Sequence, residues 1–320
     1  MPSRSPLRPP AMGHLTCRRA RGTHVVDLSG CRWVDPAHLV GVAALAARHA
    51  AAGARLRVVG PSRPEQRRYA ARMHLGRVLD ELGVEHDLHD VVPEADRALD
   101  LLEVRPVATE ADALALARLV HARTAPGDPV AAEALFTGVA ELAANVADHA
   151  QATGYVAAQV LPAAGCVRFA VADGGLGLRS TLAGRGARGA RHALHLALDG
   201  TSRLDDPTRG VGLVTVVHEV GRLRGSLFLA SGPAAVRTSR PRGARRSVRT
   251  DGALRSPFGG TLVEAVVGVR GTPGRTEGRT EGRTEGRTEA WAERVTDAPA
   301  EEPAEVSTGA SGRVGAYRER

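Results

Sequence analysis

Glu141, Asn145 and His149 recur at steps of four in the stretch Glu141-Leu-Ala-Ala-Asn145-Val-Ala-Asp-His149. In a helix that spacing puts all three near one face and turns Leu142 and Val146 toward a core. An asparagine carbonyl oxygen is a hard ligand, suited to Mg²⁺ carried by a triphosphate. A carboxylate one turn earlier can hold a water or hydroxyl as general base. Alone, the stretch is also what an amphipathic helix with a solvated polar face looks like. A second signal lies 28 residues after Asn145, where the apolar run Val167–Ala172 enters Asp173-Gly-Gly175-Leu-Gly177. An aspartate ending a strand can accept a hydrogen bond from an amino group, and the glycines let backbone turn tightly against a ligand. Alone, Asp-Gly is a common turn pair. The third signal is Arg209-Gly210-Val-Gly212-Leu213, glycines that open a helix and offer bare N–H groups to an anion.

Their order is more specific than any one of them. An asparagine-bearing helix, then strand–Asp–x–Gly–x–Gly, then a loop of about thirty residues, then Gly–x–Gly–Leu, resembles the N, G1 and G2 boxes of the GHKL ATPase superfamily. Anti-sigma factor kinases, sensor histidine kinases and gyrase B belong to it. Gly225-Ser-Leu-Phe-Leu-Ala-Ser231 and Gly259-Gly260-Thr261 resemble that family's closing strands, so the resemblance covers 105–268. It implies a Bergerat-type two-layer α/β sandwich that binds ATP with Mg²⁺. Asn145 would ligand Mg²⁺, and Glu141 would position or deprotonate an acceptor. Asp173 would read adenine, supported by Thr261, while Gly175, Gly177, Gly210 and Gly212 would line the nucleotide. Residues 178–209 would form a mobile lid. The chain has no lysine, so a Walker-type P-loop is excluded, and Arg203 or Arg209 is left to reach the phosphates. His149 is expected as a helix-face contact and Asp148 as solvated.

Elements that must carry these residues can be read from caps and periodicity. Thr109 with Asp112 three residues on predicts a helix over Thr109–Thr124. Further helices are expected over Ala131–Ala150, Ala190–Leu198 and Gly212–Leu223, and strands over Tyr155–Leu161, Val167–Ala172, Ser226–Ala230 and Thr261–Val267. The arginine-rich stretch before the last strand is expected as an elongated hairpin loop, and Arg97–Val107 as a domain boundary. Upstream, His24–Leu28 reads as a strand, Pro36–Ala52 as a helix capped by Asp35, and Arg55–Val59 as a second strand. A helical pair, Pro64–Leu75 and Arg77–Leu82, completes a unit over 23–95. Val26-Asp-Leu-Ser-Gly30 through Val34-Asp-Pro36-Ala-His-Leu39 resembles a STAS domain, the fold of anti-sigma factor antagonists. In that family a phosphorylatable hydroxyl follows the aspartate at the helix start, and here that position is Pro36.

Residues 1–22 and 270–320 are expected to be disordered, the latter carrying four Gly-Arg-Thr-Glu repeats from Gly274 to Glu289. The net charge of +8 is concentrated. Five arginines and no acid lie within residues 1–22, and seven arginines face only Asp251 within Arg237–Arg255. The rest of the chain is net acidic, and aromatics that could stack on bases are few, so specific nucleic-acid binding is not expected. Cys17, Cys31 and Cys166 are far apart with no Cys/His ligand spacing, which predicts neither disulfides nor a zinc site. No apolar run is long enough to span a bilayer and no signal peptide is evident, so a cytoplasmic chain without membrane association is expected.

Fusion of the two resemblances implies an anti-sigma-type regulator that phosphorylates or grips a protein partner, a sigma factor or a STAS-domain antagonist, and that dimerises through its ATPase domain. A non-catalytic ATP-dependent binding module is the alternative. A sensor histidine kinase would need a phosphoacceptor upstream of Asn145, where only His121 lies near.

Overall fold

The computed structural model describes residues 17–88, 101–161, 164–202, 212–240 and 247–269. These residues form a mixed α+β architecture of two sheets and eight α-helices. The N-terminal part opens with an antiparallel hairpin of β1 (Cys17–Ala20) and β2 (Thr23–Asp27). Helix α1 (Pro36–Ala51) leads to β3 (Leu56–Val59), parallel to β2, and α2 (Pro64–Arg72) and α3 (Leu75–Glu81) lead to the short β4 (Glu85–His86), parallel to β3. As the sequence predicts, Asp35 caps α1 by accepting from the His38 N–H, and Pro36 takes the first helical position.

The larger part contains β5 (Leu101–Val107), α4 (Glu110–Thr124), α5 (Pro129–Asn145), β6 (Gly154–Leu161), β7 (Cys166–Asp173), α6 (Leu178–Thr181), α7 (Ala190–Leu198), α8 (Gly212–Arg222), β8 (Ser226–Ser239) and β9 (Val248–Gly268). Its five strands pair antiparallel in the order β5-β6-β7-β9-β8. The capping box of Thr109 and Asp112 forms at the start of α4.

Strand alternation gives this sheet two different faces. Val167, Phe169 and Val171 of β7, with Val263, Ala265 and Val267 of β9, pack in one cluster with α4, α5, α7 and α8. Ala170, Ala172 and Leu262 point the other way, into a cluster with Val26, Val58 and Val40, Ala43 and Ala44 of α1. Helix α1 is thus buried from Pro36 to Ala46, and its alanines, valines and Gly41 let the larger sheet approach closely. Residues 24–88 and the larger sheet share this core.

The same alternation aims two charged residues at α1. The Arg168 guanidinium lies 3.5 Å from Asp35 Oδ2 and 3.4 Å from Glu264 Oε1. His38 Nδ1 lies 2.7 Å from Asp35 Oδ1. Burial, with the neighbouring Asp35 charge adding to it, pushes Glu264 well above the ordinary carboxylate range. Burial works against ionised Asp35 as well, but His38 and Arg168 hold it below its ordinary value. The pair is thus biased in opposite directions, Asp35 toward its ionised form and Glu264 toward its protonated one.

Four expectations change. Cys17–Ala20, expected within a disordered tail, is a strand because Arg21 and Gly22 both take positive φ (48° and 84°) and close a two-residue hairpin turn. Residues 101–107, expected as a boundary, are the edge strand β5, where Pro106 is tolerated. Within the arginine-rich stretch, expected as loop, the described residues 237–239 and 248–255 are strand, and Arg237, Thr238 and Ser239 pair with Thr250, Arg249 and Val248. Helix α5 ends at Asn145 and continues as a π-helical turn, Val146–Ala150, closed by Gln151 at φ 53°. Residues 1–16, 89–100 and 270–320, with the Gly-Arg-Thr-Glu repeats, lie outside the described residues. Among those described, no helix is long and apolar enough to cross a membrane.

Candidate functional site

Asp173 ends β7, and odd-numbered residues of that strand face the helical layer, so its carboxylate enters from the sheet side. Thr261 is its register partner on β9. Asp173 is only 6% exposed, and burial pushes its carboxyl up to about 6 despite hydrogen bonds from Gly175 and Thr261 and the nearby charge of Arg48. Asp173 Oδ1 accepts from the Gly175 N–H at 2.9 Å, which folds the chain into a tight turn.

The turn is held by close backbone packing. A Cβ on Gly175 would lie 1.9 Å from the Ala150 carbonyl oxygen, so the loop sits directly on the π-helical turn. Gly177 has φ +72°, in the left-handed region that favours glycine. Two residues not singled out in the sequence hold this loop. Ser231 Oγ accepts from the Leu178 N–H at 3.0 Å and donates to the Gly260 carbonyl at 2.7 Å. Arg48, on the last turn of α1, donates to the carbonyls of Gly174 and Gly175, both at 2.9 Å. Ser231 could have been suspected from its place in the closing-strand stretch. Arg48 could not, because it comes from the other sheet's helix, more than a hundred residues upstream.

The opposite wall is built by α5 and α8. Asn145 stands at the last helical position before the π-helical turn. Gly212 opens α8 so close to α5 that an added Cβ would lie 2.5 Å from Glu141 Oε2 and 3.5 Å from Asn145 Nδ2. Glu141, Asn145 and the start of α8 therefore meet. The π-helical turn also ends the i+4 repeat before His149. The side chains of Asp148 and His149, and all of Arg203, Arg209 and Gly210, lie outside the described residues.

Between the walls lies a cleft of about 800 Å³, its open mouth included, lined by Asn145, Asp173, Gly177, Thr261, Leu178 and Leu213 among others. Its walls are otherwise mostly aliphatic, with Leu142, Val146, Val171, Leu229 and Val263. A mostly aliphatic cleft with one buried carboxylate in its lining suits a ring that presents a donor. The N-terminus of α8 lies beside Glu141 and Asn145, and Leu213 of its first turn lines the cleft. Of the predicted residues, Asn145, Asp173, Gly177 and Thr261 line the cleft, and Gly175 and Gly212 buttress its walls. Of the expected lid, the described residues carry α6, a 3₁₀ turn at Ala183–Arg185, and α7. His121 lies on α4, its Nε2 3.1 Å from Glu133 Oε1 and its ring edge-on to Phe136.

Compared with known protein families, with curated proteins and with solved structures, the chain matches none of them.

Proposed function

We propose that this chain is an ATP-binding regulatory protein of the GHKL type, akin to anti-sigma factor serine/threonine kinases, that binds Mg-ATP in this cleft and acts on a protein partner. The observation that carries the reading is the convergence of Asp173, Gly177 and Thr261 with Asn145 on one apolar cleft, from stretches that the three-box resemblance orders along the chain. In this reading Asp173, backed by Thr261, accepts a hydrogen bond from the adenine amino group while the aliphatic walls cover the ring faces. Asn145 would hold Mg²⁺ through its side-chain carbonyl oxygen, a ligand suited to a hard cation. Bound Mg²⁺ would neutralise phosphate charge. The start of α8 supplies N–H donors to the phosphates, which matters in a chain without lysine. Glu141, one turn before Asn145, would take the proton from an acceptor hydroxyl.

The N-terminal sheet and its helices, read as a STAS-like unit, serve in this reading as a built-in part of the ATPase rather than as its substrate. Pro36 at the usual acceptor position has no hydroxyl and is buried. The acceptor is then on a separate chain, a STAS-domain antagonist, or the partner is a sigma factor that is gripped without phosphotransfer. Incubation of the full chain with Mg-ATP and purified candidates of each kind tests this. Phosphate transfer to an antagonist, abolished in Glu141→Ala while ATP binding is kept, is the expected result. Partner effects that survive Glu141→Ala would establish an ATP-dependent binding module instead, and no effect on any candidate would overturn the regulatory reading.

A further inference from the structure

Three ligand-bearing side chains that the sequence keeps apart meet at the edge of the smaller sheet. Cys17 opens β1, His24 lies on β2, and His49 is on the last turn of α1. The hairpin register pairs Cys17 with Val26 and His24 with Arg19, which makes Cys17 and His24 diagonal neighbours on one face. Cys17 Sγ lies 4.0 Å from His24 Nδ1. The rings of His24 and His49 are 4.5 Å apart between centroids. One ligand atom from each residue lies within 4.8 Å of the other two, and all three residues are half-buried. The orientation of His49 is fixed from behind: its Nδ1 lies 2.8 Å from the Leu45 carbonyl. A carbonyl only accepts, so Nδ1 carries the proton and Nε2 keeps its lone pair for a metal.

We propose that Cys17, His24 and His49 form a site for a borderline-soft divalent transition-metal ion of the Zn²⁺ class. One sulfur and two imidazole nitrogens select such ions over Mg²⁺ or Ca²⁺, which take oxygen ligands. At ordinary bond lengths a tetrahedral zinc centre sets its sulfur and nitrogen ligands about 3.6 Å apart. The 4.0 Å between Cys17 and His24 closes to that by a small rotamer adjustment. Three protein ligands leave the fourth position to water. On binding, the Cys17 S–H bond breaks, its proton passes to solvent and the thiolate takes up the metal. The ion staples the β1–β2 hairpin to the end of α1. That end also bears Arg48, which holds the carbonyls of Gly174 and Gly175.

The test is a Co²⁺ titration of the chelator-stripped full chain, under reducing conditions and without nucleotide. Saturation at one equivalent is expected, with a thiolate-to-cobalt charge-transfer band, intense tetrahedral d–d bands, and displacement of both by Zn²⁺. Cys17→Ser loses the charge-transfer band. His49→Gln weakens Co²⁺ binding by more than the roughly 10–100-fold that loss of an outer-shell partner costs. No charge-transfer band in the parent chain, or a band that persists in Cys17→Ser, overturns the proposal. Should Cys17→Ser fail to fold, unchanged Co²⁺ affinity in His49→Gln overturns it equally.

Discussion

Replacing Asp35 by alanine is expected to lower the unfolding free energy by about 3–5 kcal/mol, the usual cost of removing one partner from a buried ion pair. Asp35 is 1% exposed and makes three interactions with two neighbours. It caps α1 through the His38 N–H, pairs with the His38 ring and pairs with Arg168 on β7. Alanine removes the carboxylate that lies 3.5 Å from the Arg168 guanidinium, and with it the cap of α1 and the partner of the buried His38 ring, all in one low-dielectric place. By contrast, Glu81→Ala breaks an exposed i,i+4 pair with Arg77 and is expected to cost no more than about 0.5 kcal/mol. Urea unfolding of the two variants measures the difference. Because Asp35 belongs to the smaller part and Arg168 to the larger sheet, one cooperative transition is expected, reported alike by far-ultraviolet dichroism and by the fluorescence of Trp33 in a background where Trp291, the second tryptophan, is replaced by Phe. Two separated transitions would show that the shared core does not couple the parts.

Gly175→Ala is expected to weaken nucleotide binding strongly while leaving most of the fold intact. Its Cβ would lie 1.9 Å from the Ala150 carbonyl oxygen, 2.7 Å from the carbonyl carbon and 3.0 Å from the Ala150 Cα. All three are backbone atoms, so no side-chain rotation relieves the clash. Either the Asp173–Gly177 turn or the π-helical turn must move, and both line the proposed adenine slot. Displacing the hydrogen bond made by Asp173 costs about 1.5–3 kcal/mol, or roughly 10–150-fold in ATP affinity. Gly184→Ala is the matched control, since nothing lies within 4 Å of an added Cβ there. It is expected to leave affinity unchanged and to alter stability by less than about 1 kcal/mol in either direction. Equal affinities for the two variants, measured by nucleotide titration, would count against placing the nucleotide at this turn.

Much of this arrangement is legible in the sequence because local physics carries it. Asp35-Pro36 and Thr109 with Asp112 are cap signals that act within one helical turn, and both helices start where those residues place them. The apolar run before Asp173 gives strand β7, and alternation then decides which residues face which layer. What the sequence conceals is long-range or backbone-level. The π-helical turn after Asn145 depends on how α5 meets the Gly175 loop, and periodicity alone extends the helix to Ala150. Strand β1 depends on its pairing with β2, and its Cys-Arg-Arg-Ala composition has no strand pattern of its own. The roles of Arg48 and of the Cys17–His24–His49 cluster arise only when α1 packs on one sheet and ends beside the other. No spacing rule connects positions joined by tertiary packing. The arginine-rich segment misleads for a related reason: strand residues paired to one neighbour and facing solvent can be charged throughout.

Calorimetric titration of the full chain with ATP in excess Mg²⁺ at pH 8 decides whether the cleft holds a nucleotide. At that pH Asp173, pushed up to about 6 by burial, is ionised and able to accept from adenine. Saturable single-site binding is expected in the parent chain. Asp173→Asn is expected to lose at least about tenfold in affinity, because an amide N–H₂ can meet the adenine amino group donor to donor. Absence of saturable binding by the parent chain, or affinity unchanged in Asp173→Asn, would contradict the placing of ATP in this cleft.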